Sequence, residues 1–297
     1  MQGTKFISVF SGKGGVGKSM LTCLLADYIS SSKYKSRNFK VLILDFDDQC
    51  SSSRDMLGEE KVISTGEKKQ SLPDVIGKLD NYGEFKKLIP PLIHKRTIES
   101  SKSSKIKLGE VDVIHSINDS EISNYLVNST PTISKNLARN LKKYFTDLYD
   151  FVLIDLPGSN IPNDYSLIGL LLAENFVLPT TCSAMEIFSF PKTFELLEKI
   201  KKKKGIDFEH ILHGIVLNMV DRRSKTWKAR KEEVHATCQR YGLNKFYRTA
   251  FNFNASFMNS GLYEGAVLLD RYSTMYEKTR SLSGDILFDL GLRVKEK

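Results

Sequence analysis

One short stretch near the start constrains this chain most: Ser11-Gly-Lys-Gly-Gly-Val-Gly-Lys-Ser19. Gly12, Gly17, Lys18 and Ser19 satisfy the G-x-x-x-x-G-K-[ST] phosphate-loop spacing. An apolar run, Phe6 to Phe10, leads into it. A helical pattern leaves it, with Leu21, Leu24, Leu25, Tyr28 and Ile29 at i, i+3, i+4, i+7 and i+8. Glycines let the backbone curl so that its N–H groups converge on anionic oxygens at the positive end of that helix. In such a loop Lys18 reaches the β- and γ-phosphates of a nucleotide and the Ser19 hydroxyl ligates Mg²⁺. A glycine-rich turn is the bland alternative, and it leaves the joint presence of strand, lysine, hydroxyl and helix unaccounted for.

Further apolar runs end in acids. Lys40 to Phe46 reads as a buried parallel strand and closes on Asp45-Phe-Asp47-Asp48-Gln49. Acids at i and i+2 point to one side, and the carboxyl ends of parallel strands are where doubly wound sheets bind ligands. Phe151 to Leu156, followed by Pro157-Gly158, places Asp155 at a strand end, facing Mg²⁺ across from Ser19. Asn175 to Pro179, Gly214 to Asp221 and Tyr247 to Phe251 repeat the strand pattern. The alternation of strands and helices, with the ligand groups at strand ends, predicts an α/β doubly wound, mostly parallel sheet with helices on both faces. At 297 residues and 41% hydrophobic content, residues 1–297 read as a single domain, with an elaborated segment over about 51–110. Within that segment 71–79 and 82–88 suggest helices, and the Ser/Lys tract 100–107 reads as an exposed loop. Helices are also expected from Ile133 to Leu148, from Pro191 to Gly205 and from Tyr272 to Leu292.

Lys13-Gly-Gly-Val-Gly-Lys-Ser19 resembles the deviant Walker A motif of the ParA/MinD family of dimerising ATPases. Asp45-x-Asp47 resembles its Walker A′ element, and Asp155-x-Pro-Gly158 its Walker B and switch II segment. The resemblance implies ATP and Mg²⁺ as cofactors and an ATP-sandwich homodimer in which Lys13 crosses to the partner's nucleotide. It further implies that Asp47 positions the attacking water, with Lys13 and Lys18 as the other catalytic groups. Nucleotide contacts are then expected from Gly12, Lys13, Gly14, Gly15, Val16, Gly17, Lys18, Ser19 and Met20, and from Glu186. Asn218, whose amide offers both a donor and an acceptor, is the expected reader of the adenine edge. Phe251 is expected to close over the adenine ring. Ser19, Asp45 and Asp155 are the expected Mg²⁺ set. Partition members of the family usually carry Pro before the Gln, where this chain has Asp48.

The net charge of +9 points toward an acidic partner. Arg222, Arg223, Lys225, Lys228, Arg230 and Lys231 are placed to make a DNA-binding face, with a solvated helix face as the equal alternative. No long apolar run spans a membrane, and Asp285 and Asp289 interrupt the last helix, which disfavours an anionic-leaflet anchor of the MinD type. Scattered cysteines exclude C-x-x-C metal or iron–sulfur spacing and fit a reducing cytosol, and no leader is expected before the first strand. The expectation is therefore a cytoplasmic, nucleoid-associated ATPase that binds DNA non-specifically, is stimulated by an adaptor protein and positions a plasmid, a chromosome or a compartment such as the carboxysome. A MinD-like membrane-associated ATPase and a metabolic or maturation ATPase of the same superfamily are the alternatives.

Overall fold

The computed structural model describes residues 3–34, 36–76, 82–100, 103–117, 131–158, 164–183, 191, 193–195, 212–221, 223, 225–240, 245–252 and 273–292. The chain runs β1 (Lys5–Val9), α1 (Lys18–Ser31), a small ribbon of β2 (Lys33–Tyr34) and β3 (Arg37–Asn38), then β4 (Val41–Asp45). Four short helices follow: α2 (Ser51–Leu57), α3 (Glu59–Glu67), α4 (Pro73–Ile76) and α5 (Tyr82–Leu88). After them come β5 (His94–Ser100), β6 (Ser103–Ile114), α6 (Pro131–Phe145), β7 (Phe151–Asp155), α7 (Asp164–Leu172) and β8 (Asn175–Thr180). The last elements are β9 (Leu212–Val220), α8 (Trp227–Arg240), β10 (Phe246–Asn252) and α9 (Ser273–Asp289).

Eight strands form one sheet in the order β10-β9-β8-β1-β7-β4-β6-β5. Every pairing is parallel except that of β5 with β6. The central strands are apolar throughout because both of their faces are covered. Alternate side chains go to opposite layers, as the period of two requires. Phe6, Leu42, Leu44, Val152 and Ile154 join α6, α7 and α8 in one core. Ile7, Val9, Val41, Ile43, Phe151 and Leu153 join α1 and α9 in the other. The doubly wound, mostly parallel architecture expected from the sequence is the one observed.

The tract 100–107 is not a loop. Ser100 ends one strand and 103–107 begin the next, paired antiparallel, with Ser100 opposite Ser103 and Glu99 opposite Lys107. The physical reason is the free edge of β6, whose backbone groups need partners once β4 has taken the other side. The period-two signal of β5 was hidden by charge. His94, Arg96 and Ile98 are buried while Lys95 and Thr97 are exposed, so a buried arginine occupies a core position. Arg96 donates to Asp27 of α1 at 2.7 Å, and both side chains are essentially out of solvent. The helix expected from Pro191 lies largely outside the described residues.

The Arg96–Asp27 pair ties the edge hairpin to α1, the helix that carries Lys18. Removing one member of a buried ion pair strands the other as an uncompensated charge. Arg96→Ala is therefore expected to lower unfolding free energy by about 3–5 kcal/mol in urea titration. A loss below about 1 kcal/mol, the range of an exposed pair, would contradict this account.

Candidate active site

The register of three neighbouring strands builds the site. Val9 of β1 pairs with Asp155 of β7, and Asp155 pairs with Asp45 of β4. The phosphate loop leaves β1 at the level where both carboxylates emerge. Gly15 and Gly17 have φ of 75° and 81°, backbone settings that favour glycine. Gly17 is also the N-cap of α1 and supplies no side-chain cap, so the first N–H groups of that helix stay available to an anion. Lys18 is buried and its Nζ donates to the Lys13 carbonyl at 3.2 Å, folding the lysine back over its own loop. Gly14 and Gly15 are exposed at the loop crest, and Lys13, Ser19 and Met20 are half-buried.

Two neighbours that sequence reasoning missed or read differently hold this loop. Thr193, itself buried, accepts the Gly12 N–H at 3.3 Å. Gly158 follows β7 and lies directly against the loop. A Cβ there would stand 2.6 Å from Gly14 Cα and 2.9 Å from Lys18 Nζ, so close approach demands glycine. Nothing in the spacing of Thr193 marks it as a loop contact, because its partner is far away in the chain.

The acids divide by their partners. Both oxygens of Asp155 are buried, with no geometric hydrogen bond among the described residues and with Ser19 and Lys18 beside them. Burial, then the negative charge of Asp45, pushes its carboxyl up to about 8, although Ser19 and Lys18 nearby pull it back down. Asp45 is different. Its Oδ1 accepts the Asp47 N–H at 3.0 Å, and its Oδ2 accepts both the Ser53 N–H at 3.0 Å and the Ser53 hydroxyl at 2.6 Å. Asp45 thus caps α2 in place of Cys50, which makes no cap bond. Asp45, expected in the metal set, gives three of its roughly four acceptor sites to protein donors and keeps one on Oδ1. Asp47 is half-buried, with Oδ1 accepting the Gln49 N–H at 3.0 Å. Burial and the charges of Asp45 and Asp48 raise it to about 6, against the Gln49 N–H. The oxygen donors of Ser19 and Asp155 are of the kind that suits a hard divalent cation, and the buried Asp155 oxygens carry no geometric hydrogen bond among the described residues. No cluster of three or more His, Cys, Asp or Glu offers a metal site among the described residues.

Phe251, expected over the adenine ring, lies in the core. Its ring is wholly buried in the core shared by α1 and α9. On β10 the odd residues face α9, as the Thr249–Ser281 hydroxyl contact of 2.9 Å shows, so alternation turns Phe251 inward. Asn218 is completely buried, and its Nδ2 donates to the Val16 carbonyl at 2.7 Å. Glu186 and Arg222 lie outside the described residues. Arg223, Lys225, Lys228 and Lys231 are exposed and Arg230 is half-buried. Arg223 pairs with Asp221 at 3.2 Å. A groove of about 740 Å³ at the opposite, amino end of β4, lined in part by Lys40, Lys95, Asp112 and Tyr149, contains none of these groups.

A family model described as an AAA domain matches residues 4–210, well over half of the chain. The chain belongs to this family, the P-loop ATPases of the ParA/MinD type. Comparison with curated proteins finds no match. Among solved structures, Cyanothece McdA in complex with ATP superposes with a TM-score of 0.68 at 16% identity, covering 99% of each chain. The pNOB8 ParA bound to nonspecific DNA gives 0.64 at 16% identity, over 97% of this chain and 99% of that one. Cobyrinic acid a,c-diamide synthase from Mycobacterium smegmatis, with ADP and magnesium, gives 0.57 at 17% identity, over 81% and 83%. At such identities the likeness speaks to the fold.

The buried Asp155 carboxylate carries a pH consequence. A carboxyl held up in the folded state keeps its proton where the unfolded chain has lost it, so stability falls as pH rises from about 4 to about 8. Asp155→Asn removes that penalty. In the metal-free protein at pH 8 it is expected to raise unfolding free energy by up to about 5 kcal/mol, with the difference vanishing near pH 4. Denaturant titrations at the two pH values measure this.

Proposed function

We propose that this protein is an Mg²⁺-dependent ATPase that dimerises around ATP and, in that state, binds DNA without reading sequence to position a cargo. The observation that carries the reading is the convergence, at the carboxyl ends of β1, β4 and β7, of an anion-ready helix start, Lys18, the buried Asp155 carboxylate and Asp47. Ser19 and Asp155 would hold Mg²⁺, which when bound neutralises charge on the phosphates. The loop N–H groups and Lys18 bind the phosphate chain. Asp47, half-buried and with one oxygen uncommitted among the described contacts, orients the water and accepts its proton. Lys13 stands beside the exposed crest of the loop, where a second copy can be reached.

Coverage favours the positioning class over the biosynthetic one. The McdA and ParA structures match almost end to end, whereas the diamide synthase matches about four-fifths. The charge on α8 supports a DNA partner. Lys228, Arg230 and Lys231 occupy its first turns, with Lys225 just before, and no acid lies in the first turn. Cations at a helix N-terminus oppose the helix dipole, so helix stability does not explain them, while an external polyanion does. No helix among the described residues is long and apolar enough to cross a membrane. An adaptor protein that speeds hydrolysis, and a location on the nucleoid, complete the proposal.

Two measurements test it. ATP turnover should fall at least about a hundredfold in Asp47→Ala, the usual scale of a lost general base, while nucleotide binding persists; equal turnover removes Asp47 from the mechanism. With ATP, the wild type should sediment as a dimer and bind arbitrary duplex DNA with an affinity that drops steeply with salt. Lys13→Ala should bind ATP but neither dimerise nor bind DNA, and charge reversal at Arg230 and Lys231 should dimerise without binding DNA. DNA binding indifferent to ATP and to those charges would sink the switch.

A further inference from the structure

We infer that Asn218 is a positioning residue of the phosphate loop, holding its shape from the neighbouring strand before any base arrives. A carbonyl can only accept, so the group facing the Val16 oxygen at 2.7 Å is the amide nitrogen of Asn218. One N–H of that amide is therefore committed inside the protein, whether or not its second N–H meets a nucleobase. The strand is bent to deliver it. Between Leu217 and Val220, β9 carries one residue more than its partner β10, a β-bulge, and Met219 within it has φ of 51°. Bulges re-aim side chains, and a non-glycine residue at positive φ is a strain that the surroundings must hold in place.

The receiving side is shaped to match. A Cβ on Gly17 would lie 2.4 Å from Asn218 Nδ2 and 3.1 Å from Met219 Cε. Gly17 is thus glycine for two independent reasons, its φ of 81° and the seat of this amide. Val16 and Gly17 immediately precede Lys18, so the hydrogen bond fixes the turn that aims the lysine and starts α1. The other Asn218 atom, Oδ1, is fully buried and without a partner. Among the described residues, the bond to Val16 is therefore the whole of this side chain's hydrogen bonding. An amide that served only to read the base would have no cause to place one of its two N–H donors on the loop.

This inference rests on the nucleotide-binding reading of the loop, and a ligand without a base separates the two. Inorganic tripolyphosphate with Mg²⁺, measured by calorimetry, engages the loop but has nothing for a base reader to touch. Asn218→Ala and the near-isosteric Asn218→Asp should both weaken tripolyphosphate about tenfold or more, by a factor similar to their loss for ATP. In the ligand-free protein the amide resonances of Val16 to Lys18 should shift while those of β1 and β4 stay in place, which a general loss of stability would not produce. Variants that bind tripolyphosphate like the wild type, with unshifted loop resonances, would overturn the inference whatever happens to ATP. Loss of tripolyphosphate binding in the variants of a protein that does not turn over ATP would uphold it and overturn the ATPase reading instead.

Discussion

The level at which β1, β7 and β4 end governs the rest of the molecule. Because Val9, Asp155 and Asp45 share one register line, the loop after β1 and two carboxylates must occupy the same few ångströms. Two acids cannot both be charged there without compensation, since burial and mutual repulsion favour the protonated forms. The chain resolves this unequally. Asp45 is surrounded by donors from Ser53 and the Asp47 backbone and becomes part of the scaffold. Asp155 makes no geometric hydrogen bond among the described residues, and its carboxyl is pushed up to about 8 with Ser19 and Lys18 opposing. One acid supports the loop that presents Asp47, and the other keeps its oxygens uncommitted.

Around that line the loop is fastened from several directions. Thr193, which follows β8, takes the Gly12 N–H; Asn218 of β9 takes the Val16 carbonyl; Gly158 after β7 lies flat against Gly14. These contacts come from segments on both sides of β1, so loop geometry depends on the sheet being assembled. The buried Arg96–Asp27 pair extends the connection from α1 to the far edge, where the antiparallel hairpin closes the sheet. A phosphate site made of backbone N–H groups gains from this rigidity, because donors already in position need no reorganisation when an anion binds.

Much of the fold was legible. The buried strands announced themselves as continuous apolar runs, since both faces are covered and no polar position interrupts them. The short helices at 51–67 and the β5–β6 hairpin were not, for a physical reason. Edge elements of a sheet carry charge and serine, and a core position filled by Arg96 looks like surface until Asp27 is seen beside it. The candidate site was legible in its local parts, Gly12 to Ser19 and the acids at strand ends. The partners of Asp45 and Phe251 were not legible, because they are set by folding: Ser53 for one, the α9 layer for the other.

The sequence by itself determined the class of chemistry and the architecture that presents it. Glycine spacing, the lysine, the hydroxyl and the acid-terminated apolar runs are local patterns, and local patterns survive without knowledge of the fold. Only the tertiary structure decided which polar groups are free and which are already employed. Asp155 and Asp45 are the same residue type at the same kind of strand end, yet among the described residues one makes no geometric hydrogen bond and the other is encircled by donors. Asn218 likewise reads from sequence as an open amide and is found holding the loop. A hydrogen-bond partner is a matter of placement across long chain separations, and no spacing along the chain encodes it directly.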